Sequence, residues 1–179
     1  KSPALRDATV RKALDVVLDK QKLVDTVLFC YGIPTDSPVP PGFIDVESTS
    51  SSAQSASTSS DTSTTTSRID QAAAILTAGG WKKNDAGIWQ KNIDESTVTL
   101  SIDLSTANTP LFDQTANYIS DTWKALGVDV TISQYEQADL VQSIIRPRDF
   151  EALLYGADIG RQADLYPFWH SSQKNDPGL

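Results

Sequence analysis

The chain has no methionine, one cysteine and one histidine among its 179 residues. Cys30 is alone, so no intramolecular disulfide framework forms and no metal set or zinc spacing can be assembled. Basic residues are outnumbered, 15 Lys and Arg against 23 Asp and Glu, giving a net charge of −8. The cations are scattered rather than clustered. An acidic chain of this kind has no footprint for phosphates, which argues against nucleic acid or an anionic membrane surface as a partner. No apolar run approaches the roughly 20 residues that would cross a bilayer. There is no P-loop, no dinucleotide-type glycine pattern after a strand and no nucleophile elbow. No signal peptide is present, and a start at Lys1 without methionine reads as an excised or mature segment. Sparse cysteine suits either the cytosol or the exterior of a bacterial cell.

What is present is ordinary for a soluble globular domain: 39% hydrophobic and 21% charged residues, in a chain long enough for one sizeable core. Asp7 to Asp19 predicts a helix, with Asp7 as N-cap and Val10, Ala13, Leu14, Val17 and Leu18 on one face. A shorter helix follows, with Leu23, Val24, Val27 and Leu28 inward, ending near Gly32. Ile33 to Gly42 holds four prolines and predicts an extended surface loop. In Ser48 to Ser67, sixteen of twenty residues are Ser or Thr. Such a tract cannot bury enough surface to offset its ordering entropy, and it predicts a flexible insertion at 48–67, a spacer or a glycosylated stalk.

Order is expected again from Ser67, where Ser67-Arg68-Ile69-Asp70 resembles a capping box. Ala72, Ala73, Ile75 and Leu76 give that helix its apolar face, and Gly79-Gly80 ends it. Trp81 to Trp89 predicts a small hairpin around Asn84-Asp85-Ala86-Gly87. Thr97 to Leu104 alternates as one strand, with Val98, Leu100, Ile102 and Leu104 facing a core. Thr109-Pro110 opens a helix carrying Phe112, Ala116, Ile119, Trp123 and Leu126 inward, closed by Gly127. Val128, Val130 and Ile132 alternate as the next strand. Strand, helix, strand is a βαβ unit, so a parallel pair or one crossover is expected. Ala138 to Ile145 predicts a further helix, and Phe150 to Tyr155 a buried strand. The fold class is α/β, a small mixed sheet flanked by helices.

The stretch from Asp149 to Gln173 concentrates candidate chemistry. From the strand's last residue, Tyr155, onward, the carboxylates Asp158 and Asp164 stand together with the aromatics Tyr166, Phe168 and Trp169. A carboxylate near a strand end can anchor an ammonium group, and the aromatics Tyr155, Tyr166 and Trp169 can wall a pocket around it. The same residues could equally be core aromatics, helix caps and solvated loop carboxylates. A hydrolase using Asp158 and Asp164, or His170 with Ser171 and Ser172, is the enzymatic alternative. Adjacent residues of an extended chain point apart, which weighs against the His–Ser pair.

Several stretches together resemble a known family. Asp7 to Asp19, Leu23 to Leu28, Tyr31-Gly-Ile-Pro34 and Pro38-Val-Pro-Pro-Gly42 look like the opening of the C-terminal lobe of bacterial extracellular solute-binding proteins, family 5, of the oligopeptide/dipeptide/nickel class. Ala73 to Trp81, Gly87 to Lys91, Trp123 to Val130, Arg148 to Leu154 and Phe168 to Gln173 continue the likeness in the same order. The resemblance implies one lobe of a type II periplasmic-binding-protein-like fold. It further implies a non-catalytic receptor for an ABC importer, binding peptide-like or other small solutes without a cofactor or metal. The implied partners are permease subunits and an N-terminal lobe of the same protein, lying mostly before Lys1; the family also continues past Leu179. The implied location is extracytoplasmic, with a lipid anchor in a region outside this chain, as in a lipoprotein. The family pattern at the ligand end is Gly-Trp followed by an acidic residue. Gly156 matches it, Ala157 stands where Trp is common, and Asp158 and Asp164 both fit the acidic role. Cys30 stands where the family often has Gly. A sensory or regulatory protein reusing the same lobe would share these features.

Overall fold

The computed structural model describes residues 2–35, 61–93, 96–157, 166 and 170–173. Helix α1 (Pro3–Arg6) leads into α2 (Ala8–Val17) and α3 (Lys20–Val27). Asp7 caps α2, its Oδ1 accepting from the Thr9 N–H at 2.9 Å, and Asp19 caps α3 in the same way through the Lys22 N–H. The short α1 was not apparent from periodicity, because four residues carry no helical pattern. Helix α3 ends in an unusual turn. Phe29 and Cys30 both adopt left-handed backbone, φ 50° and 64°. Each costs roughly 1–2 kcal/mol for a residue with a Cβ. Backbone bonds from Cys30 N to Val24 O and from Tyr31 N to Leu28 O hold the turn.

Helix α4 spans Asp61–Ala78, six residues earlier than the Ser67 start that the capping pattern predicts. Ser67 is therefore interior, and its Oγ accepts from Gln71 Nε2. Residues 61–67 of the expected insertion are helical, while 48–60 lie outside the described residues. The physical reason is that extending an existing helix needs no new nucleus. The nucleus here is the apolar end, where Ala72 and Leu76 are fully buried against α2. The two helices approach closely: a Cβ on Gly79 would lie 2.6 Å from Thr9 Cγ2.

Two three-stranded sheets follow. The first is antiparallel, from β1 (Lys82–Lys83), β2 (Trp89–Ile93) and β3 (Ser96–Thr99); its first turn is the expected hairpin. The second sheet is parallel, ordered β5-β4-β6, from β4 (Ser101–Ala107), β5 (Asp129–Tyr135) and β6 (Ala152–Leu154). The single strand expected over Thr97 to Leu104 is thus two strands in two sheets. Leu100 is the joint. Its N–H donates to Trp89 O in the first sheet and its carbonyl accepts from Asp129 N in the second. Alternation survives across the joint, since Leu100, Ile102 and Leu104 are all buried, and so the pattern alone gave no sign of the break.

Helix α5 (Pro110–Leu126) is the crossover of the βαβ unit. Thr109 caps it and Pro110 opens it. Gly127 ends it at φ +103°, where a Cβ would lie 2.6 Å from Gly87 O. Ala116 and Ile119 pack on Leu104, with Ile132 and Leu154 alongside. Trp123 Nε1 donates to Leu14 O and Tyr118 OH to Asp19 O, which ties α5 to α2 and α3. Burial pushes the Tyr118 phenol above its usual range, and the nearby Asp19 charge adds to that. Between β5 and β6, helix α6 (Gln137–Asp139) passes directly into a π-helical turn, Leu140–Ile145, where an ordinary helix over Ala138 to Ile145 is expected.

The main core joins α1, α2 and α4 to both sheets through Val10, Leu14, Leu76, Trp81, Trp89, Leu100, Ile102 and Val130. Asp7 sits at its edge. Its Oδ2 accepts from Trp81 Nε1 at 3.1 Å and from Lys91 Nζ at 2.9 Å. Burial acts to raise the Asp7 carboxyl, but the bonds from Thr9, Lys91 and Trp81 outweigh it and hold the group well below the usual carboxylate range.

Candidate functional site

Because β4, β5 and β6 run parallel, their carboxyl ends lie together. In an open α/β sheet that end is where ligands bind. Asn108, immediately after β4, donates from its backbone N–H to Tyr135 O at 2.7 Å and from Nδ2 to Glu136 Oε1 at 3.3 Å. Asp113, in the first turn of α5, accepts from Gln134 Nε2 at 2.6 Å and Asn117 Nδ2 at 3.1 Å. A carboxylate there also meets the positive end of the helix dipole. Thr106 Oγ1 donates to Leu154 O and ties β4 to β6. Under this polar rim, Ala107, Leu140 and Ile144 form an apolar plug with Phe112, Tyr135, Phe150 and Leu153 packed against it.

Tyr155 follows β6 at this same end and is 39% exposed. It is available as a wall rather than consumed by the core. Gly156 comes next, pressed against Phe112, whose Cζ would lie 3.2 Å from an added Cβ. Tyr166 is 52% exposed. Its ring stacks on His170 with centroids 4.5 Å apart, and its hydroxyl lies 3.0 Å from Ser172 Oγ. Asp158, Asp164 and Trp169 lie outside the described residues. The structure therefore places Tyr155 at the strand end, and it gathers Tyr166 with His170 and Ser172.

The His170–Ser172 pair differs from the extended geometry expected. A 3₁₀ turn over Ser171–Gln173 folds Ser172 back, bringing Oγ to 2.7 Å from His170 Nδ1. The Ser172 backbone N–H also donates to Nδ1, at 3.2 Å. One ring nitrogen with one lone pair is thus engaged by a local turn two residues away. Both side chains are exposed. That is the geometry of a turn-stabilising histidine; a general base needs a nucleophile held in a water-poor cleft.

Sequence reasoning passed over Asn108, Asp113, Gln134 and Glu136, the polar rim of the site. The available signal was positional: each lies where an alternating strand stops or the crossover helix starts. Among the described residues no group of three or more His, Cys, Asp or Glu is arranged to hold a metal, and no helix is long and apolar enough to cross a membrane.

The family described as bacterial extracellular solute-binding proteins, family 5 Middle, matches residues 1–176. The chain belongs to this family. Among curated family-5 relatives, the oligopeptide-binding protein AppA of Bacillus subtilis (strain 168) is 27% identical over 182 residues, covering 97% of this chain and 30% of AppA. The structure of B. subtilis AppA in complex with a nonapeptide superposes with a TM-score of 0.72 at 26% identity, covering 98% of this chain and 32% of that one. NikZ from Campylobacter jejuni, in complex with Ni(L-His), gives a TM-score of 0.70 at 19% identity over 96% of this chain, a likeness of fold. The chain spans about a third of the length of the relatives it matches. Its α/β architecture is accordingly one lobe of a periplasmic-binding-protein-like fold. Family 5 consists of extracellular solute-binding proteins, and its defining property is binding.

Proposed function

We propose that this chain is the substrate-binding lobe of an ABC importer receptor, gripping a peptide-like solute by closure against a second lobe and performing no chemistry on it. The observation that carries the reading is the continuous similarity to oligopeptide-binding AppA across 97% of the chain. The exposed Tyr155 and the polar rim of Asn108 and Glu136 at the parallel strand ends support it, because they leave a lined surface where such lobes take ligand.

In this reading Asp158 or Asp164 anchors the ammonium end of the solute by a charge-assisted hydrogen bond, and Tyr155, Tyr166 and Trp169 wall the site. The lobe is one unit across residues 1–179, with the Ser/Thr-rich stretch 48–67 as an insertion in it. Permease subunits are the transport partners, a lipid anchor elsewhere in the protein holds the receptor in the periplasm or at the outer face of the cell membrane, and no cofactor is required. Among the described residues, the His170–Ser172 pair of the hydrolase alternative is a local turn.

The test is calorimetric titration of the full-length protein with a mixed short-peptide library, repeated with Asp158→Asn and Asp164→Asn. Binding by wild type, weakened by about 2–5 kcal/mol in one variant, identifies the anchor. Equal binding by both variants removes the charge-anchor assignment. No peptide binding by wild type removes peptides as the solute class.

A further inference from the structure

Phe29, Tyr31 and Ile33 are 73%, 89% and 75% exposed, three large apolar side chains within five residues. Scattered exposed hydrophobics are common, but a cluster this dense at one turn marks an interaction surface. The turn that presents them is built. Phe29 and Cys30 hold left-handed backbone without glycine, and local strain of this kind persists where surrounding contacts enforce it. Two backbone bonds fix the turn onto the end of α3, and Gly32 lies against Leu28 and Val24, with Leu28 Cδ1 3.1 Å from the position of an added Cβ. The result is a preformed apolar knob with two aromatic rings and no charge on residues 29–33.

We propose that this knob seats in an apolar pocket of the same receptor polypeptide, in the part of the family fold that lies outside residues 1–179. The inference rests on the receptor reading above. Its occupant follows from length: the relatives are about three times as long as this chain, which covers 30% of AppA, and the matched family region is the middle one. About two-thirds of the relatives' length thus lies outside the part that this chain matches. The largest concentration of exposed apolar side chains among the described residues is the surface it would cover. The chemistry suits an intramolecular seat, since aromatic and branched aliphatic groups are buried permanently at low cost but are a liability in a monomer that exposes them.

The experiment is site-specific photo-crosslinking from position 31 of the full-length protein, with a benzophenone amino acid in place of Tyr31 and the crosslinked peptide identified by mass spectrometry. Crosslinks to peptides outside residues 1–179 of the same molecule are expected. Crosslinks within residues 36–60, crosslinks to a second copy, or none at all would each overturn the proposal. Cys30 supplies an independent readout, because its thiol is exposed on the same turn. Its labelling by a thiol reagent is expected to be slowed roughly tenfold or more in the folded full-length protein relative to the denatured protein. Labelling at the denatured rate would overturn the seat. Peptide titration reports separately on the receptor reading, so failure of one can be told from failure of the other.

Discussion

Asp7 and Lys91 lie 84 residues apart in sequence and meet at 2.9 Å, carboxylate oxygen to ammonium nitrogen. The same carboxylate accepts from Trp81 Nε1 and caps α2 through Thr9. One side chain therefore fastens the first helices to the antiparallel sheet. Asp7→Ala removes a cap worth about 1 kcal/mol and charged hydrogen bonds worth about 1.5–3 kcal/mol, with solvent access at Lys91 reducing the second. The expected loss is about 2–3 kcal/mol, read by urea unfolding.

The depressed Asp7 carboxyl fixes the sign of a pH effect. A group whose folded pKa lies below its unfolded value of about 3.9 contributes stability above that value and loses it on acidification. The stability gap between wild type and Asp7→Asn should be full above about pH 5 and shrink progressively below about pH 4. A gap that stays constant from pH 6 to pH 3 would show that the charge of Asp7 carries none of it.

Gly79→Ala places a methyl 2.6 Å from Thr9 Cγ2. Overpacking of this kind costs about 1–3 kcal/mol. Adding Thr9→Ser removes the nearest methyl and keeps the backbone N–H that Asp7 caps, but Cβ and Oγ1 remain 3.0 Å from the new methyl, so the double variant should recover part of the loss. Thermal unfolding of the four proteins in the cycle gives the coupling directly.

Ser120 is buried on α5, and its Oγ finds no hydrogen-bond partner among the described residues. Ser120→Ala removes an unsatisfied buried hydroxyl and improves helix propensity. It should stabilise the protein by about 0.5–1.5 kcal/mol in chemical denaturation. Loss of stability instead would reveal a partner for the hydroxyl.

Tyr155 is exposed at the strand end, so Tyr155→Ala should leave the unfolding midpoint nearly unchanged. In the receptor reading it should weaken peptide binding by about 1–2 kcal/mol, the size of a lost aromatic contact. Unchanged affinity would take Tyr155 off the wall.

Much of this architecture is legible in periodicity and punctuation. Asp7, Thr109-Pro110 and Gly127 mark helix ends by local chemistry that no tertiary contact overrides, and they stand where the sequence places them. The misses at Ser67 and at Leu100 share a cause, interactions between distant segments. Nothing local to Ser67 reveals that a helix nucleated at Ala72 and Leu76 extends back to Asp61. Alternation through Leu100 cannot reveal that the two halves of the run pair with different strands, since inward-facing residues look alike in either sheet. At the site, Tyr155 was legible as an aromatic closing an expected strand, Phe150 to Tyr155, whereas the strand itself stops at Leu154. The rim of Asn108, Asp113, Gln134 and Glu136 was not, because its members become neighbours only when the parallel ends align.

Leu100 has a mechanical consequence. Its amide belongs to one sheet and its carbonyl to the other, and its side chain is fully buried. Peeling the hairpin away would drag a core leucine into water and strip a ladder bond from β5. The hairpin should therefore have no private opening route, and its central amides should exchange with solvent at the pace set by the parallel sheet. A ligand held at the far end of that sheet would then quiet the hairpin as well, with no contact between them.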